Sequence, residues 1–129
     1  MIYGIGHDII NIDRVQKLLN VYENKLYTKV LSNIEQLAIP NNKIDIYLSK
    51  RIVAKEAFAK ACGVGFINPI FMNKITVTND KYGKPQIVVS SDIKQWLDKK
   101  DINKIFLSIS DEVKSNSFRM ASAYVILEQ

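Results

Sequence analysis

Three residues in this chain have the types and the spacing to handle phosphate. Asp8 sits in GIGHDII, residues 4–10, an otherwise apolar run, and a carboxylate on a strand that buries its side chains is costly unless something compensates it. Glu56 and Lys60, in AKEAFAKACGVG at 54–65, are four apart and therefore stack on one face of a helix. A magnesium site in a phosphate-handling enzyme needs only one or two protein carboxylates, because water and substrate phosphate oxygens fill the other positions. Asp8 and Glu56 suffice for that. A lysine one turn along can meet the negative charge that the metal leaves on the phosphates, and Lys60 has that place. Without Asp8, the Glu56–Lys60 spacing reads as an ion pair on a solvated helix face.

The elements that must bring these residues together follow from periodicity. Residues 2–12 alternate as a strand, with Ile2, Gly4, Gly6, Asp8, Ile10 and Ile12 on one face and Tyr3, Ile5, His7 and Ile9 on the other. From Asp13 a helical pattern carries Val15, Leu18, Leu19 and Tyr22, and SNIE at 32–35 is a capping box that opens a short helix ending near Pro40. Nothing breaks a helix between Ile44 and Cys62, and Gly63 stands where a C-terminal cap belongs. KITVTN (74–79) and QIVVS (86–90) flank DKYGKP as a hairpin, a short helix follows around 90–100, and strands at 104–110 and 118–128 close the chain. Helices early and strands late predict an α+β fold, a single domain over 1–129 with an antiparallel sheet against the long helix.

Composition excludes several classes. With 47% hydrophobic and 24% charged residues the chain has material for a core and is no low-complexity tail. One cysteine, Cys62, rules out an internal disulfide framework and a cysteine-based zinc site. No leader precedes the first strand and no run approaches the roughly 18 apolar residues of a membrane span. A cytoplasmic protein with no membrane partner is expected. The net charge of +5 is unevenly placed, with the first half the more basic: residues 13–30 carry +2, residues 41–62 carry +3, and from Asp92 onward the charges cancel. Such a bias steers an acidic or phosphorylated partner, or is simply a solvated lysine face.

GIGHDI, with Asp8 as its aspartate, and RIVAKEAFAKACGVG, with Arg51, Lys55, Glu56, Lys60, Gly63 and Gly65 in register, together resemble the two signatures of the holo-acyl-carrier-protein synthases, a family of 4′-phosphopantetheinyl transferases. Gly83, Lys84 and Pro85 match the family's Gly-Lys-Pro loop, and the resemblance covers nearly the whole chain. It implies the 4′-phosphopantetheinyl transferase fold and transfer of 4′-phosphopantetheine from coenzyme A to a serine of an apo acyl carrier protein, a step of fatty acid biosynthesis that releases adenosine 3′,5′-bisphosphate. Carried over by position, Asp8 and Glu56 bind Mg²⁺ and Lys60 contacts the transferred phosphate, these three being the catalytic residues. Arg51, Gly63, Gly65, Gly83, Lys84, Pro85 and Ser110 join Lys60 in binding coenzyme A, while Arg14, Lys17, Lys25 and Lys29 on the first helix meet the acidic carrier protein. The resemblance also implies a homotrimer with active sites between subunits.

Some positions depart from the family pattern. SISDE puts Asp111 where many members have a histidine, which replaces a phosphate contact by an acid, and GVG puts Val64 where a threonine is common. His7 points away from Asp8 in a strand and reads as structural. Cys62, apolar on both sides, reads as an inert core thiol. A nucleic-acid binder would explain a pI near 9.3, but no RNP-like aromatic run, GXXG loop or zinc pattern accompanies it, and two acids would repel phosphates without metal. A metal-dependent nuclease lacks a further acid cluster, and intact Asp8, Glu56 and Lys60 argue against a non-catalytic carrier-binding homologue.

Overall fold

The computed structural model describes all 129 residues. In chain order the elements are β1 (Ile2–Asn11), α1 (Ile12–Val30), α2 (Asn33–Leu37), α3 (Ile44–Cys62), a 3₁₀ turn at Met72–Lys74, β2 (Ile75–Asn79), β3 (Pro85–Val89), α4 (Ser91–Asp98), β4 (Lys104–Ser115) and β5 (Phe118–Glu128). Three strands form one antiparallel sheet in the order β1-β5-β4, and β2 and β3 pair antiparallel in a sheet of their own. The α+β class and the sheet packed on a long helix agree with the sequence reading. That the hairpin forms a second sheet was not legible, because alternation identifies a strand but not the edge it pairs with.

α3 lies across the inner face of the larger sheet. Its Val53, Ala54, Ala57, Phe58 and Ala61 share one buried core with Ala121, Ala123, Val125 and Leu127 of β5. This helix is buried on most of its sides, Asp45, Ser49 and Lys55 included, as a helix with neighbours on several sides should be. It ends at Gly63, which takes φ +78° and donates its backbone N–H to the Lys60 carbonyl at 3.0 Å. A second cluster, Val15, Leu19, Val30, Leu31, Leu48 and Ile52, packs α1 against α3.

The two glycines of GIG explain how closely β1 and α3 approach. A Cβ built on Gly6 would stand 1.8 Å from the Ala57 carbonyl oxygen, and one on Gly4 would stand 2.0 Å from that of Ala61. Backbone carbonyls of a helix cannot step aside as a flexible side chain can. Gly6→Ala should therefore destabilise the fold by about 3 kcal/mol or more, read as a drop in denaturation midpoint with unchanged m-value, and should lower activity with it. Stability within about 0.5 kcal/mol of the parent would contradict this packing.

α1 starts one residue before the pattern suggested, because the Asn11 side chain caps it by accepting the Asp13 amide at 2.9 Å. Val15 and Leu19 are buried as expected, whereas Leu18 and Tyr22 face outward, and the helix kinks at Tyr22 (φ −123°, ψ 21°). The capping box at Ser32 and Glu35 is present in full. Cys62 is buried and burial pushes its thiol up to about 12, which leaves it protonated and unreactive. His7 is exposed on the outer sheet face, stacked on Tyr124 at 4.2 Å. No helix is long and apolar enough to cross a membrane.

Candidate active site

Alternation along β1 turns Asp8 to the inner face, opposite Ala123 of β5 and toward α3. The close glycine contact then brings it within reach of the last turns of that helix. Lys60 Nζ lies 3.1 Å from Asp8 Oδ1 and donates to the His7 carbonyl at 2.9 Å. Lys60 forms no ion pair with Glu56 although the two share a helix face; the lysine reaches across to the strand. This is what compensates the carboxylate in the apolar run.

Glu56 is half-buried, and its carboxyl is raised above the usual range, first by burial and then by the negative charge of Asp8, with Lys60 acting in the opposite direction. Two carboxylates thus share one region with a single half-exposed ammonium. No basic side chain forms an ion pair with Glu56. No histidine, cysteine or further acid joins them in a cluster of three, so the donor set suits a hard cation that keeps several waters or takes phosphate oxygens, as Mg²⁺ does, and not a tetrahedral zinc. The residues fit magnesium on that ground.

Glu56 forms a shared wall of two clefts. One, of about 490 Å³, runs between α3 and the α1 side chains Arg14, Leu18, Tyr22, Lys25 and Lys29. The other, of about 560 Å³, is bounded by Lys29, Phe66, Phe71, Met72 and Lys74. Arg14, Lys25 and Lys29 line the first of these clefts, and Lys17 lines neither.

The remaining residues singled out in the sequence stand apart from the acid pair within one chain. Gly63 and Gly65, at φ +78° and +69°, form an open turn beyond Lys60. Gly83, Lys84 and Pro85 lie at the β2–β3 tip, where Asp80 Oδ1 accepts the amides of Tyr82 at 2.8 Å and Lys84 at 2.9 Å. The Arg51 guanidinium covers the Tyr47 ring at 3.7 Å, with Nε 3.6 Å from Glu35 Oε2. Ser110 pairs with Ser122 on the face that also carries Ile9, away from Asp8. Asp111 holds Lys50 at 3.3 Å.

Two charged groups, one of them inside the second signature, were given no role by the sequence. Lys55 is fully buried and donates to Glu35 Oε1 at 2.5 Å and to the Val30 carbonyl at 2.6 Å; burial lowers its ammonium to about 8, against the opposing pull of Glu35. Its setting among Val53, Ala54, Ala57 and Phe58 was the available signal. Arg119 ties the first turns of α1 and α3 to β5 through Asp13, at 2.7 Å, and Asp45; no local pattern announces a bridge across so much sequence.

The family model described as the 4′-phosphopantetheinyl transferase superfamily matches residues 4–121. A holo-acyl-carrier-protein synthase of Ruthia magnifica is 45% identical over 130 residues, covering 99% of this chain and 98% of that protein. The crystal structure of the holo-acyl-carrier-protein synthase of Neisseria meningitidis superposes with a TM-score of 0.92 at 35% identity, over 100% of both chains. That of Bacillus anthracis, in complex with coenzyme A (3′,5′-ADP), superposes with a TM-score of 0.74 at 30% identity, over 100% of this chain and 98% of the other. With the two signatures meeting at the Asp8–Lys60 contact and the match running the length of the sequence, the chain belongs to the 4′-phosphopantetheinyl transferase superfamily, among its holo-acyl-carrier-protein synthases.

Proposed function

We propose that residues 1–129 form one catalytic unit that transfers the 4′-phosphopantetheine of coenzyme A to a serine hydroxyl of an apo acyl carrier protein. The observation that carries the reading is the meeting of Lys60 with Asp8 where β1 crosses α3, close enough to Glu56 that both charges act on its carboxyl. The reaction breaks the pyrophosphate bond, joins the serine oxygen to the phosphorus it releases, and yields adenosine 3′,5′-bisphosphate. Asp8 and Glu56 would hold a magnesium ion, which when bound would supply positive charge to offset that of the phosphates. Lys60, steadied by the His7 carbonyl, keeps its ammonium where the transferring phosphate gathers negative charge. The serine proton leaves to a water held by Asp8 or Glu56.

The carrier protein docks on α1. Arg14, Lys25 and Lys29 supply charge for an acidic helix, and the exposed Leu18 and Tyr22 supply apolar contact. Reversing Arg14 and Lys25 to Glu should lower carrier-protein kcat/KM about tenfold or more at low salt, and less at high salt, with coenzyme A use nearly unchanged. Equal loss for both substrates would count against this surface. Lys17→Glu should have the smaller effect.

The functional form is a homotrimer. Tyr3, Ile5, Ile9, Phe106 and Tyr124 leave an apolar face on the outside of the larger sheet, and Ser110 shares it. Burying that face against a neighbour lets Arg51, Ser110 and the Gly83–Pro85 tip serve a coenzyme A held between subunits. The setting is the cytoplasm and fatty acid biosynthesis. Mixing the protein with apo carrier protein, coenzyme A and Mg²⁺ and weighing the carrier protein tests the reading: a gain equal to one phosphopantetheine is expected, and none with a chelator. An unchanged carrier mass with metal present would overturn it.

A further inference from the structure

Lys55 and Glu56 are neighbours on α3, and Lys29 and Val30 are neighbours at the end of α1. The buried member of each pair meets the other: Lys55 Nζ donates to the Val30 carbonyl at 2.6 Å. The outward members, Glu56 and Lys29, together line both clefts of the site. One buried bond therefore joins the chain positions next to two groups that line the same two clefts.

The bond is made where it has leverage. Val30 is the last residue of α1, so its carbonyl lacks an intrahelical donor and lies at the negative end of the helix dipole, where a buried cation is favourable. Lys55 is anchored from below by Glu35, whose Oε1 also accepts the Ser32 amide at 3.0 Å and whose Oε2 accepts the Val77 amide at 2.9 Å. The Tyr47 hydroxyl holds the Glu35 carbonyl at 2.7 Å. The clamp thus joins the end of α1, the start of α2, α3 and β2, while α1 is kinked at Tyr22, which leaves its last two turns, with Lys25 and Lys29, dependent on what holds their far end.

We infer that Lys55 is a positioning residue for carrier-protein use: its bond to the end of α1 sets the separation of Lys29 from Glu56 and so the place where the carrier's serine loop enters. This rests on the proposed transferase reading. Lys55 touches neither substrate and acts only through the last turns of α1.

The test uses Lys55→Met and the charge-free pair Glu35→Gln with Lys55→Met, which avoids leaving a buried carboxylate unpaired. Each is assayed with apo carrier protein and coenzyme A varied separately, with and without Lys29→Ala. Carrier-protein kcat/KM should fall about ten- to a hundredfold while the KM for coenzyme A stays within about threefold. Lys29→Ala should lower carrier-protein use in the parent and cost little more once the clamp is gone, a coupling that general destabilisation would not produce. Lys55→Arg should not restore the parent value, since the planar guanidinium cannot take both acceptors in a pocket shaped for an ammonium. Additive losses with Lys29→Ala, parallel losses for both substrates, or failure of both clamp variants to fold would each overturn the inference, the last by assigning the pair to the stability of the whole fold. An inactive parent would instead overturn the transferase reading.

Discussion

Lys60→Ala should lower turnover by about a hundredfold or more while barely changing the stability of the protein. The two halves of that expectation have different sources. Lys60 is 54% exposed and its partner Asp8 is 21% exposed, so the ion pair itself contributes at most about 1 kcal/mol. In the proposed transfer, however, the same ammonium would face phosphate oxygens, where a positioned charge acts with little reorganisation. Lys60→Arg should recover only part of the rate, because a planar fork cannot occupy the position of a compact ammonium held by the His7 carbonyl and Asp8. Turnover within a few-fold of the parent for Lys60→Ala would reduce Lys60 to a surface ion-pair partner. Steady-state rates with saturating coenzyme A and carrier protein, beside a thermal melt, make the distinction.

Asp8→Asn should cause a loss of similar size, about a hundredfold, together with a higher magnesium requirement. The substitution removes charge and preserves volume, so α3 and β1 should keep their packing and the melt should stay close to the parent's. Its effect on Glu56 gives a second readout that needs no substrate. The Asp8 charge is one cause of the raised Glu56 carboxyl, after burial, and Lys60 opposes both. Asp8→Asn should therefore let Glu56 ionise at lower pH, and Lys60→Ala should push its ionisation to higher pH. Carboxyl titration by NMR on the metal-free protein follows both. Near-normal turnover of Asp8→Asn at low magnesium would remove Asp8 from the metal site; titrations that move together would show that the two groups do not share one field with Glu56.

Much of this arrangement was legible because it is local. The alternation along β1 placed Asp8 opposite to His7, and the structure has Asp8 turned to α3 and His7 on the outside. The run from Ile44 to Cys62 with Gly63 after it read as one capped helix and is one. Spacing of four put Glu56 and Lys60 one turn apart. Each of these follows from backbone geometry within a few residues, where side-chain direction repeats every two positions in a strand and every 3.6 in a helix.

Other features needed distances between segments far apart in sequence. Helical spacing allowed Lys60 to pair with Glu56, yet it meets Asp8, because Gly4 and Gly6 let β1 approach α3 at backbone contact. A capping box accounted for Glu35, yet its carboxylate also receives Lys55 and the Val77 amide from β2. Arg14 and Lys17 were close on a helical wheel, but the position of α1 against α3 turns Lys25 and Lys29, and not Lys17, toward Glu56. The sequence by itself determined which residues could do the chemistry and which face of its own element each would take, since torsional preference and periodicity are local properties of the chain. Only the tertiary structure decided which charges meet, because that depends on how the core of α3, β1 and β5 closes: the absence of two Cβ atoms on one strand brings a carboxylate and an ammonium within 3.1 Å across 52 residues of chain.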